Sequence, residues 1–246
     1  MPGLLARPVR WTPLAMLAAA CAALAGPVAA VTVQGATYGE LATAQLGRVP
    51  HSQLSHRPTT VTISLTRSGA SATATEIISP MPGPNLSSYA AATGRGSASG
   101  ETSMNYYFQV VGPQSVPVPV IITASGSLAG VSAHISSLAK AEIITNLGAF
   151  VYPVDDACPG GAGATSHCGA YTNPVTRTVT ASTQTQTAGA NVVELLASTS
   201  VSRPGSASGV LALSLQIDPS FPHAGKYHIL VSKGVGNPPP LPGEAR

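Results

Sequence analysis

The sequence predicts an all-β fold, an antiparallel β-sandwich with jelly-roll-like winding. Three observations carry this. Apolar residues recur at every second position in one run after another, which is the period of a half-buried strand. Gly (25) and Pro (22) punctuate these runs with turn signals. Helical patterning is nearly absent, and several short strands separated by turns are the mark of a sandwich. An apolar fraction of 44% with 9% charged residues also sets the chain apart from a disordered one.

The first 30 residues stand apart. Arg7 and Arg10 form a positive lead, "LAMLAAACAALA" (14–25) a short apolar stretch, and "GPVAA" puts Val28 and Ala30 at the small-residue positions of a cleavage site. This is the layout of a secretory signal peptide cut between Ala30 and Val31, and its apolar run is too short to span a membrane. A rival layout, a lipoprotein signal cut before Cys21, fits less well because apolar residues follow the cysteine. Two of the 12 Lys and Arg lie before Val31, so the mature chain is nearly neutral. It shows no basic patch and no aromatic set on a basic face, so nucleic acid is not an expected partner. No later stretch is apolar for the roughly 18 residues of a spanning helix, so no transmembrane anchor is expected in the mature chain.

The expected organisation is a signal peptide over 1–30, one β-sandwich domain over 31–236 and a Pro-rich tail over 237–246. Residues 31–58 read as a partly irregular lead-in, with a short helical turn at "YGELATAQLG" (38–47). In "TVTISLT" (60–66), Val61, Ile63 and Leu65 share a face. "SMNYYFQVV" (103–111) does the same with Met104, Tyr106, Phe108 and Val110. After "GPQS" comes "VPVPVIITAS" (116–125), with Val116, Val118, Val120 and Ile122 aligned. The stretch 103–125 reads as a hairpin with a four-residue loop. Pro117 and Pro119 lack the N–H that a ladder needs, which puts that part of the strand at a sheet edge. Residues 131–147 read as a strand, because "EIIT" is β-branched. Further on, "TRTVTASTQTQT" (176–187) is extended and "NVVELLASTSV" (191–201) is ambiguous in period. "GVLALSLQI" (209–217) aligns Leu211, Leu213, Leu215 and Ile217, and "KYHILVS" (226–232) aligns Tyr227, Ile229 and Val231. "GSASG" occurs at 96–100 and 205–209 and reads as a loop of small residues entering a strand, or as the trace of two similar halves.

Chemistry is sparse. Cys158 and Cys168 bracket a Gly-rich loop. In an exported chain they are expected to form a disulfide worth roughly 2–3 kcal/mol. The rival is a metal site with His167, which offers three local ligands where zinc takes four, or three and a water. Asp155 and Asp156 are the one adjacent acidic pair and a weak candidate for Ca²⁺; otherwise no cofactor is expected. Adjacent carboxylates fit glycoside hydrolysis poorly, since that reaction needs them on opposite sides of one bond. The six histidines (51, 56, 134, 167, 223, 228) sit in no H-E-x-x-H, and both "GSASG" stretches place alanine where G-x-S-x-G needs serine. Asp218 in "QIDPSFP" is read as ordering a turn. Tyr107, Tyr152 and Tyr171 are the candidate ligand contacts of a sugar-binding face.

"GSASGETSMNYYFQVVGPQSVPVPVIITASGS" and "LSLQIDPSFPHAGKYHILVSKGVGNPPPLP" resemble the recurrent core of bacterial exported proteins of the PEP-CTERM, exosortase-sorted type. The shared features are an aromatic Y-x-F-x-V-x-G-P strand, a V-P-V-x-I strand, and an I-D-P-x-F … S-x-G-V-G-N ending; the cysteine-flanked Gly-rich loop fits as well. The resemblance implies an extracytoplasmic β-sandwich without assigned activity, in Gram-negative bacteria that make extracellular polysaccharide. Members continue into a Pro-Glu-Pro motif, an apolar helix and a basic tail. This chain has "PPPLPGEAR" (238–246), a stiff spacer without that anchor, which predicts release rather than attachment.

The functional expectation is a secreted, non-enzymatic β-sandwich protein of the cell surface or extracellular matrix, with the periplasm as the alternative location. Extracellular polysaccharide or envelope components are the expected partners. A carbohydrate-binding module is the first alternative and a hydrolase with a dispersed site the second. Mass spectrometry of the exported chain should find Val31 at its N-terminus. Alkylation without reductant should leave Cys158 and Cys168 unmodified, and two free thiols would favour the metal reading.

Overall fold

A computed structural model of the chain describes residues 33–132, 137–147, 171–184, 191–202 and 204–237. These form twelve strands: β1 (Thr37–Leu46), β2 (Pro50–Ser55), β3 (Thr60–Arg67), β4 (Ala70–Ser79), β5 (Asn85–Thr93), β6 (Gly96–Val111), β7 (Pro117–Ser132), β8 (Ser137–Thr145), β9 (Tyr171–Gln184), β10 (Asn191–Val201), β11 (Gly205–Ile217) and β12 (His228–Val231). They make two six-stranded antiparallel sheets packed face to face, so the chain is an all-β sandwich. Sheet one runs β2-β1-β6-β10-β8, with β12 also paired to β6. Sheet two runs β3-β4-β5-β11-β7-β9.

Inner faces follow the period-two reading. Met104, Tyr106, Phe108 and Val110 of β6 are buried, as are Val118, Val120 and Ile122 of β7 and Leu211, Leu213 and Leu215 of β11. The ambiguous β10 turns Val193, Leu195, Ala197, Thr199 and Val201 inward. Large side chains fill one end of the core. At the other the inner layer is alanine: Ala42, Ala44, Ala72, Ala74, Ala90, Ala92 and Ala98. The outer faces carry hydroxyl pairs across the ladders, such as Thr62–Thr75 (3.2 Å), Ser64–Thr73 (3.0 Å) and Thr43–Ser52 (3.0 Å).

Three expectations are corrected. The stretch 38–47 is strand β1, not a helical turn, and with β2 it orders much of the 31–58 lead-in. Its Ala and Leu favour helix, but pairing with β6 along ten residues prevails. The two "GSASG" stretches are the first residues of β6 and β11, not loops. Residues 103–125 are not a hairpin, because β6 and β7 lie in different sheets. Both sides of β6 are taken, by β1 and β12 on one and β10 on the other, so the chain must cross to the opposite sheet. From β6 onward every strand lies in the sheet opposite its predecessor. The local edge expected at Pro117 and Pro119 is present: β7 lies between β11 and β9, but over these two prolines only β9 pairs with it. Its prolines are accommodated because the β11 pairing ends at Ile217↔Val120. Beyond it Asp218 N–H donates to Pro119 O (3.0 Å), and Pro119 has no N–H to return.

The C-terminal segment closes the sheets. β12 continues along β6 beyond the end of β1. Between them, Ser232 Oγ accepts from Tyr107 N–H (2.9 Å) and donates to Gln34 O (2.6 Å). Tyr227 packs edge-on to Phe221 (5.5 Å) and lies where a Cβ on residue 112 would be, which requires Gly112. Asp218 orders the turn before it, accepting from Ser220 N–H (2.8 Å) as the sequence implied. Val235 is buried, and Gly236 N–H donates to Pro80 O (2.8 Å). The Asn237 amide then takes the place of a strand beside β11, accepting from Leu215 N–H and donating to Leu215 O, both at 2.9 Å. Asn237→Ala strands both Leu215 backbone groups and should cost about 2 kcal/mol. A lower urea midpoint at unchanged m-value would report this loss.

Candidate functional site

Most residues singled out in the sequence do not converge. Tyr152, Asp155, Asp156, Cys158, His167 and Cys168, with Ala30, Val31 and His134, lie outside the described residues. Tyr171 opens β9, paired with Gly130. Tyr107 is half-buried on the outer face of sheet one, while the exposed Tyr89 is in sheet two, so these two tyrosines share no face. His51, His56, His223 and His228 are all exposed, on β2, the β2–β3 loop, the turn before β12 and β12. No group of three or more His, Cys, Asp or Glu able to hold a metal occurs among the described residues.

Two clusters come together that the sequence did not announce. The first is a buried polar layer between the sheets. Glu40 of β1 and Glu76 of β4 both have 0% exposure. Glu40 Oε1 accepts from Ile78 N–H (3.1 Å). Glu76 Oε1 accepts from Ser88 Oγ (3.1 Å), which also bonds Thr199 Oγ1 across the sandwich (2.8 Å). The second oxygen of each glutamate has no protein partner. Space for the Glu76 carboxyl exists because residue 100 is glycine, since a Cβ there would overlap it. Burial pushes the Glu76 pKa up to about 9; the Ser88 hydroxyl opposes this, and the charges of Glu40 and Glu101 add to it. Burial also raises Glu40. Paired carboxylates can do acid–base work, but these are sealed from any substrate.

The second cluster is a cleft of about 370 Å³ at the alanine end. Leu46 and Gly47 border it from the β1–β2 turn, Arg67 to Ala70 from the β3–β4 turn, and Gly94 and Arg95 from the β5–β6 turn. The two latter turns interlock: Ser71 N–H donates to Thr93 Oγ1 (2.8 Å), and a Cβ at Gly94 would strike Gly69 O. Arg48 follows Gly47 in the first turn. No carboxylate lines the cleft, and Arg48, Arg67 and Arg95 form no ion pair among the described residues. The linear sequence spreads these arginines over three turns and so shows no basic patch. The available signal was a glycine within two positions of each one, in "LGRV", "TRSG" and "TGRG".

No family model matches the chain, and no curated protein matches it. Among solved structures the chain is similar to one of the infectious bursal disease virus Gx strain, with a TM-score of 0.24 and 8% identity over 79% of this chain. The chain spans 60% of that viral chain, and at this TM-score the likeness carries no argument.

The buried glutamates generate a pH dependence. The native state keeps the Glu76 proton up to about pH 9, whereas an unfolded chain releases it near the ordinary value of 4.5. The native state therefore binds more protons between these values, and stability falls as pH rises through that window, by at most about 1.4 kcal/mol per pH unit for one group. Glu76→Gln should flatten this slope and raise stability at alkaline pH, read from urea midpoints across the window.

Proposed function

We propose that the chain is an exported, non-enzymatic β-sandwich protein that acts at the cell surface or in the extracellular matrix. The observation that carries this reading is the fate of its acidic pair. Glu40 and Glu76, the carboxylates brought together between the sheets, are fully buried in the core, while the cleft at the surface is lined by arginine, serine and small residues. A hydrolase needs the reverse arrangement, with a base and an acid or nucleophile open to substrate. The outer faces support the same reading. Their hydroxyl ladders are uncharged and satisfy one another across strands, which suits a surface exposed to varying salt and pH. The signal-peptide layout and the likeness to exosortase-sorted proteins support export.

The purified mature chain should co-sediment with envelope or matrix material from a producing cell. It should leave chromogenic esters and glycosides, as well as the matrix polysaccharide, uncleaved. Failure of the purified chain to associate with either envelope or matrix material, or turnover abolished by a single substitution, would overturn the reading.

A further inference from the structure

We propose that the cleft between the β1–β2, β3–β4 and β5–β6 turns binds an acidic saccharide, one that carries its carboxylate directly on the sugar ring. The inference rests on the non-enzymatic surface reading and names a ligand class for it. Arg67 and Arg95 line one cleft that no carboxylate among the described residues borders, and neither forms an ion pair among those residues, so their guanidinium groups are available to an outside anion. A guanidinium presents a planar fork that matches a carboxylate bidentately. The cleft volume falls within the range of small-ligand sites, and interlocked turns fix its walls.

The lining discriminates among anions. It contains no aromatic ring, so it offers no stacking platform for a nucleobase. It does contain apolar surface, from Leu46 and Ala70, beside the arginines. A uronate ring fits that combination: its C–H face covers the apolar wall while its carboxylate, one bond from the ring, meets a guanidinium. An acidic peptide carries each carboxylate on a rotatable stem and loses more side-chain freedom on binding. Inorganic phosphate leaves the apolar wall uncovered. The Ser68 hydroxyl and the backbone of the glycine turns are hydrogen-bonding partners for ring hydroxyls.

The test is calorimetric titration of the full mature chain with an oligouronide, with its methyl-esterified form, with poly-L-glutamate and with inorganic phosphate, at low and high salt. The oligouronide should bind at low salt and weaken as salt rises. Methyl esterification, Arg67→Ala and Arg95→Ala should each weaken binding about tenfold. Arg57→Ala, at the other end of β3, should leave affinity unchanged, and matching melting curves should show that each variant is folded. Absence of oligouronide binding, or binding unaffected by the Arg67 and Arg95 substitutions, overturns the site. Equal affinity for the methyl ester, poly-L-glutamate or phosphate overturns the ligand class. If binding fails while the chain still co-sediments with matrix, this inference falls and the functional reading stands. If the oligouronide is bound and cleaved, the site stands and the non-enzymatic reading falls.

Discussion

A sixteen-residue antiparallel strand in the middle of a sheet needs partners along both edges, and meeting that need on β6 organises the rest of the molecule. On one side β10 pairs from Ala98 to Phe108. On the other, β1 reaches only as far as Asn105, and β12 begins at Phe108. Ser232 bridges the interval with a side-chain oxygen, bonding Tyr107 and the chain just ahead of β1. Because both edges of β6 are occupied, the next strand is driven into the opposite sheet, and the alternation between sheets follows.

An earlier crossing, from β2 in sheet one to β3 in sheet two, puts two glutamates on facing inner surfaces, Glu40 of β1 and Glu76 of β4. Their enclosure raises both pKa values, and bonds from Ile78 N–H and the Ser88 hydroxyl offset part of the burial cost. The layer fits only because small residues surround it: Gly100 leaves the volume that Glu76 occupies. Ordinary core packing would replace this pair with apolar side chains. Its presence makes cohesion of the two sheets depend on proton activity.

Which residues face inward was legible in the sequence wherever alternation was clean, as in Val61–Leu65, Met104–Val110 and Leu211–Leu215, because strand period is a local property. Partner choice was not, because it depends on which edges are already filled elsewhere. The apparent hairpin over 103–125 has good turn residues and two good strands, yet no free edge for them to share. "YGELATAQLG" carries helical propensity, and its inward positions, Glu40, Ala42 and Ala44, contain no large apolar residue to signal a strand. The cleft was illegible for a related reason. Arg67 and Arg95 stand 28 positions apart and become neighbours only when two glycine turns interlock. The ending "S-K-G-V-G-N" was visible as a pattern, but its mechanics were not: Ser232 bridges a ladder, Val235 fills core and Asn237 stands in for a strand.

That last segment has a kinetic consequence. Strands adjacent in sequence are rarely adjacent in a sheet, so few native contacts form early, and sandwiches of this contact order fold slowly. The edge of β6 and the end of β11 are both completed by residues 228–237. A chain emerging from a ribosome or a membrane pore therefore lacks the pieces that finish both central strands until residues 228–237 have emerged. Completion of the two sheets waits on the arrival of this one short segment.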